Sequence, residues 1–168
     1  MYKTSCLLVV AAAIAVGCTR AAEDGNALAS AGASAATKVQ ALSKSVPKGW
    51  MEDFAAAKEK AAKEKKKILV AFSGSDWCHW CVKMDHDVYS RPDFVSKASK
   101  DYVLVMIDNP QDRSVLSPLA ASQNDALTGK YGIQGFPSTL VLDAKGEVLK
   151  RLSGYKPSPE ELLKALAE

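Results

Sequence analysis

The chain has 168 residues, of which 48% are hydrophobic and 24% charged, with a formal net charge of +3. That balance suits one globular core and leaves too little basic excess for nucleic acid to be the main partner. The lysines concentrate between Lys58 and Lys67, where a solvated helix face accounts for them.

The chain opens on MYKTSCLLVVAAAIAVGC. Lys3, an apolar run from Cys6 to Val16 and the small Gly17 have the shape of a secretory signal, and the run is too short to span a bilayer. Export is therefore expected, with residues 1–18 as the signal. A buried N-terminal helix is the poorer reading, because the segment is apolar all round and leads into Ala/Ser-rich sequence. Ala15-Val16-Gly17-Cys18 resembles the bacterial lipoprotein signal, although that pattern prefers Leu, Ile or Val where Ala15 stands. The resemblance implies lipidation of Cys18 and an anchor on the periplasmic side of a bacterial membrane, with ordinary cleavage nearby as the alternative. Residues 19–47 are rich in Ala, Ser and Gly and contain no aromatic residue. Such a stretch buries too little to offset its ordering entropy and reads as a flexible tether, a partly helical Ala-rich stalk being the alternative.

From residue 48 the pattern becomes that of a domain, 48–168. Trp50, Phe54, Ala57 and Ala61 recur at helical spacing and predict a helix from Trp50 to Lys65. Ile68 to Phe72 is a continuous apolar run, as in a strand covered on both faces. Gly74-Ser75-Asp76 breaks it, and a helix is predicted from Cys78 to about Val88, then a short one around Phe94 to Ala98. Tyr102 to Ile107 is a second β-rich run, stopped by Asp108-Asn109-Pro110. Ser117-Pro118 opens a helix toward Lys130. Ser138 to Leu142 and Glu147 to Leu152 flank Asp143-Ala144-Lys145-Gly146 as a hairpin, and Ser158-Pro159-Glu160-Glu161 starts a last helix with a capping box. The order implies an α/β fold with a mixed central sheet and helices on both faces.

Cys6 leaves with the signal and Cys18 is lipidated or isolated, so Cys78 and Cys81 are the one pair in the folded region. Three uses compete. A structural bridge across so short a loop restrains little of the unfolded chain. A metal clip using His79 and His86 would be short of the four closed ligands of a structural zinc site, so no metal is expected, and His86 reads as solvated surface beside Asp85 and Asp87. A redox pair suits a compartment where thiols meet oxidants. No phosphate-cradling glycine loop and no serine-histidine-acid constellation appears.

The chain then resembles the thioredoxin superfamily. The resemblance rests on ILVAF before the pair, on Trp77-Cys78-His79-Trp80-Cys81, on Ile107-Asp108, on KYGIQGFPS at 130–138, and on the hairpin with Gly146 followed by Gly154. It implies a thioredoxin-like fold over 48–168 and a thiol–disulfide oxidoreductase of the exported lineage, working without a bound cofactor on protein thiols and disulfides. It further implies that Pro137 is cis beside the cysteine pair, with Phe136 helping to bind the partner chain. Two departures stand out. Ala71 occupies the place where many thioredoxins carry a buried Asp, and Asn109 to Lys130 is longer than in a minimal thioredoxin.

In chemical terms Cys78, at a helix N-terminus, is the expected exposed nucleophile, and Cys81, one turn on, the resolving thiol. His79 either stabilises the Cys78 thiolate as an imidazolium or is a plain loop residue. Trp77 and Trp80 read as partner-contact surface or as shielding for the disulfide. A reductase would draw electrons from a membrane thiol donor, whereas an oxidase would pass its disulfide to folding clients, and the reductase direction is preferred. The competing class is a binding module that grips extended chains through Phe136, Pro137 and the tryptophans, with the cysteines inessential.

Overall fold

Four strands and the helices around them occupy residues 46–168, the part of the chain that the computed structural model describes. Cys6, Cys18, the signal and most of the tether lie outside the described residues. The elements run α1 (Phe54–Glu64), β1 (Lys67–Ser73), α2 (His79–Met84), α3 (Pro92–Ala98), β2 (Tyr102–Asp108), α4 (Pro118–Lys130), β3 (Ser138–Leu142), β4 (Val148–Ser153) and α5 (Pro159–Ala167). A π-turn, Asp85–Tyr89, prolongs α2, and a 3-10 turn, Arg113–Val115, precedes α4.

The sheet order is β2-β1-β3-β4. β1 pairs with β2 in parallel, and β3 pairs antiparallel with both β1 and β4, so the sheet is mixed. Alternation along each strand divides its side chains between two cores. Leu69, Ala71, Leu104, Met106 and Val141 face Met84, Val88, Tyr89, Phe94, Ala98, Leu162 and Leu166. Ile68, Val70, Phe72, Val103, Val105, Ile107, Leu140 and Leu142 face Phe54, Ala57, Ala61, Leu127 and Tyr131. Helices α2, α3 and α5 thus cover one face, and α1 and α4 the other. Each fully buried Leu, Ile or Phe contributes on the order of 2 kcal/mol.

Local signals account for most boundaries. Ser117 accepts from the Ala120 N–H and Ser158 from the Glu161 N–H, so both proline-led helices start where the capping pattern puts them. The hairpin turn is held by Asp143 Oδ1, which accepts from the N–H groups of Lys145 and Glu147.

Two boundaries differ from expectation. Helix α1 begins at Phe54, capped by Asp53, and Trp50 lies outside it. Gly49, at φ +93°, turns the chain there, and Met51 then pairs with the outer edge of β2 through Leu104 O and Met106 N. Trp50 consequently packs on Tyr89 and Phe94, in the core opposite Phe54, Ala57 and Ala61. The second change is the π-turn after Met84, which periodicity does not distinguish from continued α-helix. Among the described residues no helix is long and apolar enough to cross a membrane.

Candidate active site

Strands β1 and β2 run in register to Ser73 and Asp108, and the loops leaving their carboxyl ends meet there, the usual place for a site in such a sheet. Asp108 is buried and organises the junction. Its carboxylate accepts from the Ser75 N–H at 2.9 Å and from the Ser75 hydroxyl at 2.5 Å, and its carbonyl accepts from the Asn124 amide at 2.6 Å. Asp76 reaches the other way and accepts from the N–H groups of Gln111 and Asp112, both at 2.9 Å. Those bonds hold its carboxyl below the usual carboxylate range. The long segment after Asn109 is therefore fastened at its start to the loop before the cysteines.

Gly74 has a packing reason to lack a side chain: a Cβ there would overlap the Trp77 indole. The Trp77 Nε1–H donates to Asn109 O at 2.8 Å, and its ring meets Phe136 edge-on at 5.5 Å. That contact brings the 133–137 loop against the cysteine loop. The Phe136–Pro137 peptide bond is cis, as the resemblance implied, and Pro137 O accepts from the Gly154 N–H at 2.9 Å.

Cys78 caps α2, with its sulfur accepting from the Cys81 N–H at 3.2 Å, and the two cysteines form a disulfide. Cys78 is 7% exposed and Cys81 1%. The expectation of an exposed Cys78 is thus corrected for the disulfide state: the bridge is folded into the loop, while Trp77 and Trp80, 45% and 52% exposed, present the surface around it. His79 is exposed and lies edge-on to Trp80 at 5.4 Å.

His86 is 88% exposed on its side chain and bonds to Asp87, in keeping with a surface position. Its neighbours are less exposed than the sequence suggested. Asp85 is partly buried, accepts from the Ser90 hydroxyl at 2.8 Å, and burial raises its pKa. Asp87 takes three donors: Lys83 Nζ at 2.8 Å, His86 Nδ1 at 2.9 Å and the Tyr155 hydroxyl at 2.5 Å. These donors depress its pKa strongly, that from Lys83 most. Among the described residues no cluster of three or more His, Cys, Asp or Glu is placed to hold a metal ion.

At Ala71 the sheet offers no carboxylate. Its antiparallel partner is Thr139, whose hydroxyl pairs with the buried Tyr89 hydroxyl at 2.8 Å. Sequence reading missed Asp108, Asp87 and Tyr155. The local signals were the i, i+4 spacing of Lys83 and Asp87 and the adjacent His86; the contacts of Asp108 with Ser75 and of Asp87 with Tyr155 join residues 33 and 68 positions apart.

Residues 54–168 match the family model described as a thioredoxin-like domain. The disulfide bond reductase DsbH of Chlamydia pneumoniae is 33% identical over 106 residues, 63% of this chain and 63% of that protein. The thioredoxin-related protein DsbJ of the same organism is 27% identical over 106 residues, 63% of this chain and 30% of that protein. The matched stretch therefore leaves a substantial part of both relatives unspanned. A solved structure of a DsbH oxidoreductase is similar at a TM-score of 0.64 and 30% identity, covering 70% of this chain and 81% of that one. Since the family match takes in all four strands, the dithiol loop and the cis-proline turn, the chain belongs to the thioredoxin-like family.

Proposed function

We propose that this protein is an exported thiol–disulfide oxidoreductase that reduces disulfides in protein clients through Cys78 and Cys81. The observation that carries the reading is the Cys78–Cys81 disulfide across the first turn of α2, beside a loop with a cis Phe136–Pro137 bond. In the reduced protein the Cys78 thiolate attacks one sulfur of a client disulfide. A mixed disulfide forms, and one client thiolate leaves and takes up a proton. The Cys81 thiolate then attacks the Cys78 sulfur, closing the Cys78–Cys81 bridge and expelling the second client thiolate. The client gains two electrons and two protons.

The first turn of α2 directs its free N–H groups toward Cys78, which favours the attacking thiolate and makes Cys78 a good leaving group in the second step. Phe136, Pro137, Trp77 and Trp80 supply the client-contact surface in this reading. The reductase direction draws support from similarity to a protein described as a disulfide bond reductase. Recharging the dithiol then requires a second dithiol, for which a membrane thiol carrier is the proposed donor. Export, and anchoring through lipidated Cys18, complete the proposal; the mass of the mature protein, and its release from membranes by Cys18→Ser, test that part.

The deciding experiment is equilibration of residues 48–168 with glutathione buffers. A reduction potential near about −270 mV is expected, and a value near about −120 mV would reverse the direction. Cys81→Ser should trap mixed disulfides with clients. Full biological activity in Cys78→Ser would sink the exchange mechanism in favour of a binding module.

A further inference from the structure

Beyond the exchange chemistry, one side chain outside the cysteine loop bears on which clients the site accepts. Tyr155 directly follows Gly154, whose N–H bonds to Pro137 O, so it belongs to the loop tied to the cis-proline turn. Its ring lies against Trp80 at 5.3 Å, tilted by 39°, with the Lys83 ammonium 5.3 Å from its centroid. Its hydroxyl donates to Asp87 at 2.5 Å. The next residue is fastened too: the Lys156 N–H bonds to the buried Met84 sulfur at 3.2 Å.

Trp80, Lys83 and Asp87 are spaced three and four apart, so one stripe of α2 and its π-turn meets Tyr155 along its length. The stripe begins at the residue between the two cysteines. Trp80 nevertheless stays 52% exposed, so the clamp orients the indole and leaves half of it open at the rim. A half-open indole next to a reactive sulfur offers rigid apolar surface with little entropy left to lose on contact. The Trp77–Phe136 pair is a separate contact, held from the loops before β3 and after β2.

We propose that Tyr155 is a positioning residue for client selection: fixed by Asp87, it holds the Trp80 indole as an aromatic wall that favours client segments with an apolar residue beside the reacting cysteine. This inference rests on the oxidoreductase reading and specifies its substrate class. Tyr155 touches no reacting atom and acts through Trp80.

The test uses the pre-reduced protein in single turnover against two disulfide-bonded peptides, one with leucine or tryptophan beside its cysteine and one with glycine and serine there. A small aromatic disulfide, dithiobis(nitrobenzoate), serves as a third oxidant. The readout is the ratio of second-order rate constants for the apolar and the Gly/Ser peptide. Tyr155→Ala is expected to lower that ratio about fivefold, the size of one aromatic contact, and to leave the rate with the small disulfide within about twofold. Tyr155→Phe keeps the ring against Trp80 but loses the hydroxyl that Asp87 holds, and is expected to lower the ratio by less than Tyr155→Ala does, which also guards against a variant that folds poorly. Trp80→Ala should lower the ratio as Tyr155→Ala does, and the double variant should lose no more than either. An unchanged ratio in Tyr155→Ala, an equal slowing with all three oxidants, or full additivity with Trp80→Ala overturns the inference while leaving the exchange reading intact. A wild-type protein that reduces none of the three defeats the exchange reading, and this inference with it.

Discussion

Trp77 and Trp80 stand three residues apart on either side of the start of α2, yet the molecule holds them by different means. Trp77 rests on Gly74, bonds to the backbone at Asn109 and belongs to a loop gathered by Asp108 at the ends of β1 and β2. Trp80 leans on Tyr155, which depends on a surface carboxylate shared with Lys83 and His86. The first support is built from backbone groups and a buried acid, and the second from side chains near solvent. Loss of the first should therefore cost folding stability, and loss of the second mainly client discrimination.

The largest effect is expected at Asp108. Asp108→Ala removes both acceptors of Ser75 and should destabilise the domain by about 2–3 kcal/mol in urea unfolding. A loss as small as that of an exposed residue would show that Ser75 is held elsewhere. Gly74→Ala comes next: the added methyl meets the Trp77 indole, and overpacking of this kind costs about 1–3 kcal/mol. On the Trp80 side, Tyr155→Ala removes a partly buried ring at the margin of the α2 core and should cost about 1 kcal/mol. Equal losses on the two sides would erase the contrast.

How far these supports could be read in advance follows the same division. The strands, the capped starts of α4 and α5, the hairpin and the dithiol motif depend on neighbours within a few residues, so pattern and spacing found them. Trp50 was placed on the wrong core because its period matches that of Phe54 and Ala57, while the Gly49 turn that separates it leaves no trace in hydrophobic spacing. In the sequence Asp108 reads as the end of a strand, and Tyr155 carries no reading at all. What makes each matter is a partner brought close by the fold.

Acid should weaken both sides. Asp76 and Asp87 both have depressed pKa values, Asp76 through backbone donors and Asp87 chiefly through Lys83. A depressed folded-state pKa contributes stability that is complete above the ordinary carboxylate value near about 4 and is lost as the pH falls through the folded value. Asp87→Asn should therefore melt below wild type at neutral pH, with the gap closing in acid. A gap independent of pH would mean that the charge of Asp87 is irrelevant to its hold on Tyr155.

Asp85 carries the opposite sign and the smallest effect. It sits between the cysteine helix and Ser90; burial is the main cause of its raised pKa, the Asp108 charge adds to the rise, and the Ser90 hydrogen bond and His86 oppose it. A raised folded-state pKa means that the ionised form is better off in the unfolded chain. The associated stability is present below the ordinary carboxylate value and is lost as the pH rises through the folded one. Asp85→Asn keeps an oxygen to accept the Ser90 hydroxyl and removes the charge. It should raise the melting temperature at pH 7, with the difference shrinking as the pH falls below the ordinary carboxylate range. A variant that melts lower than wild type at pH 7 would show that the Asp85 charge has a stabilising partner, and would move this residue from the cost of the cysteine helix to its support.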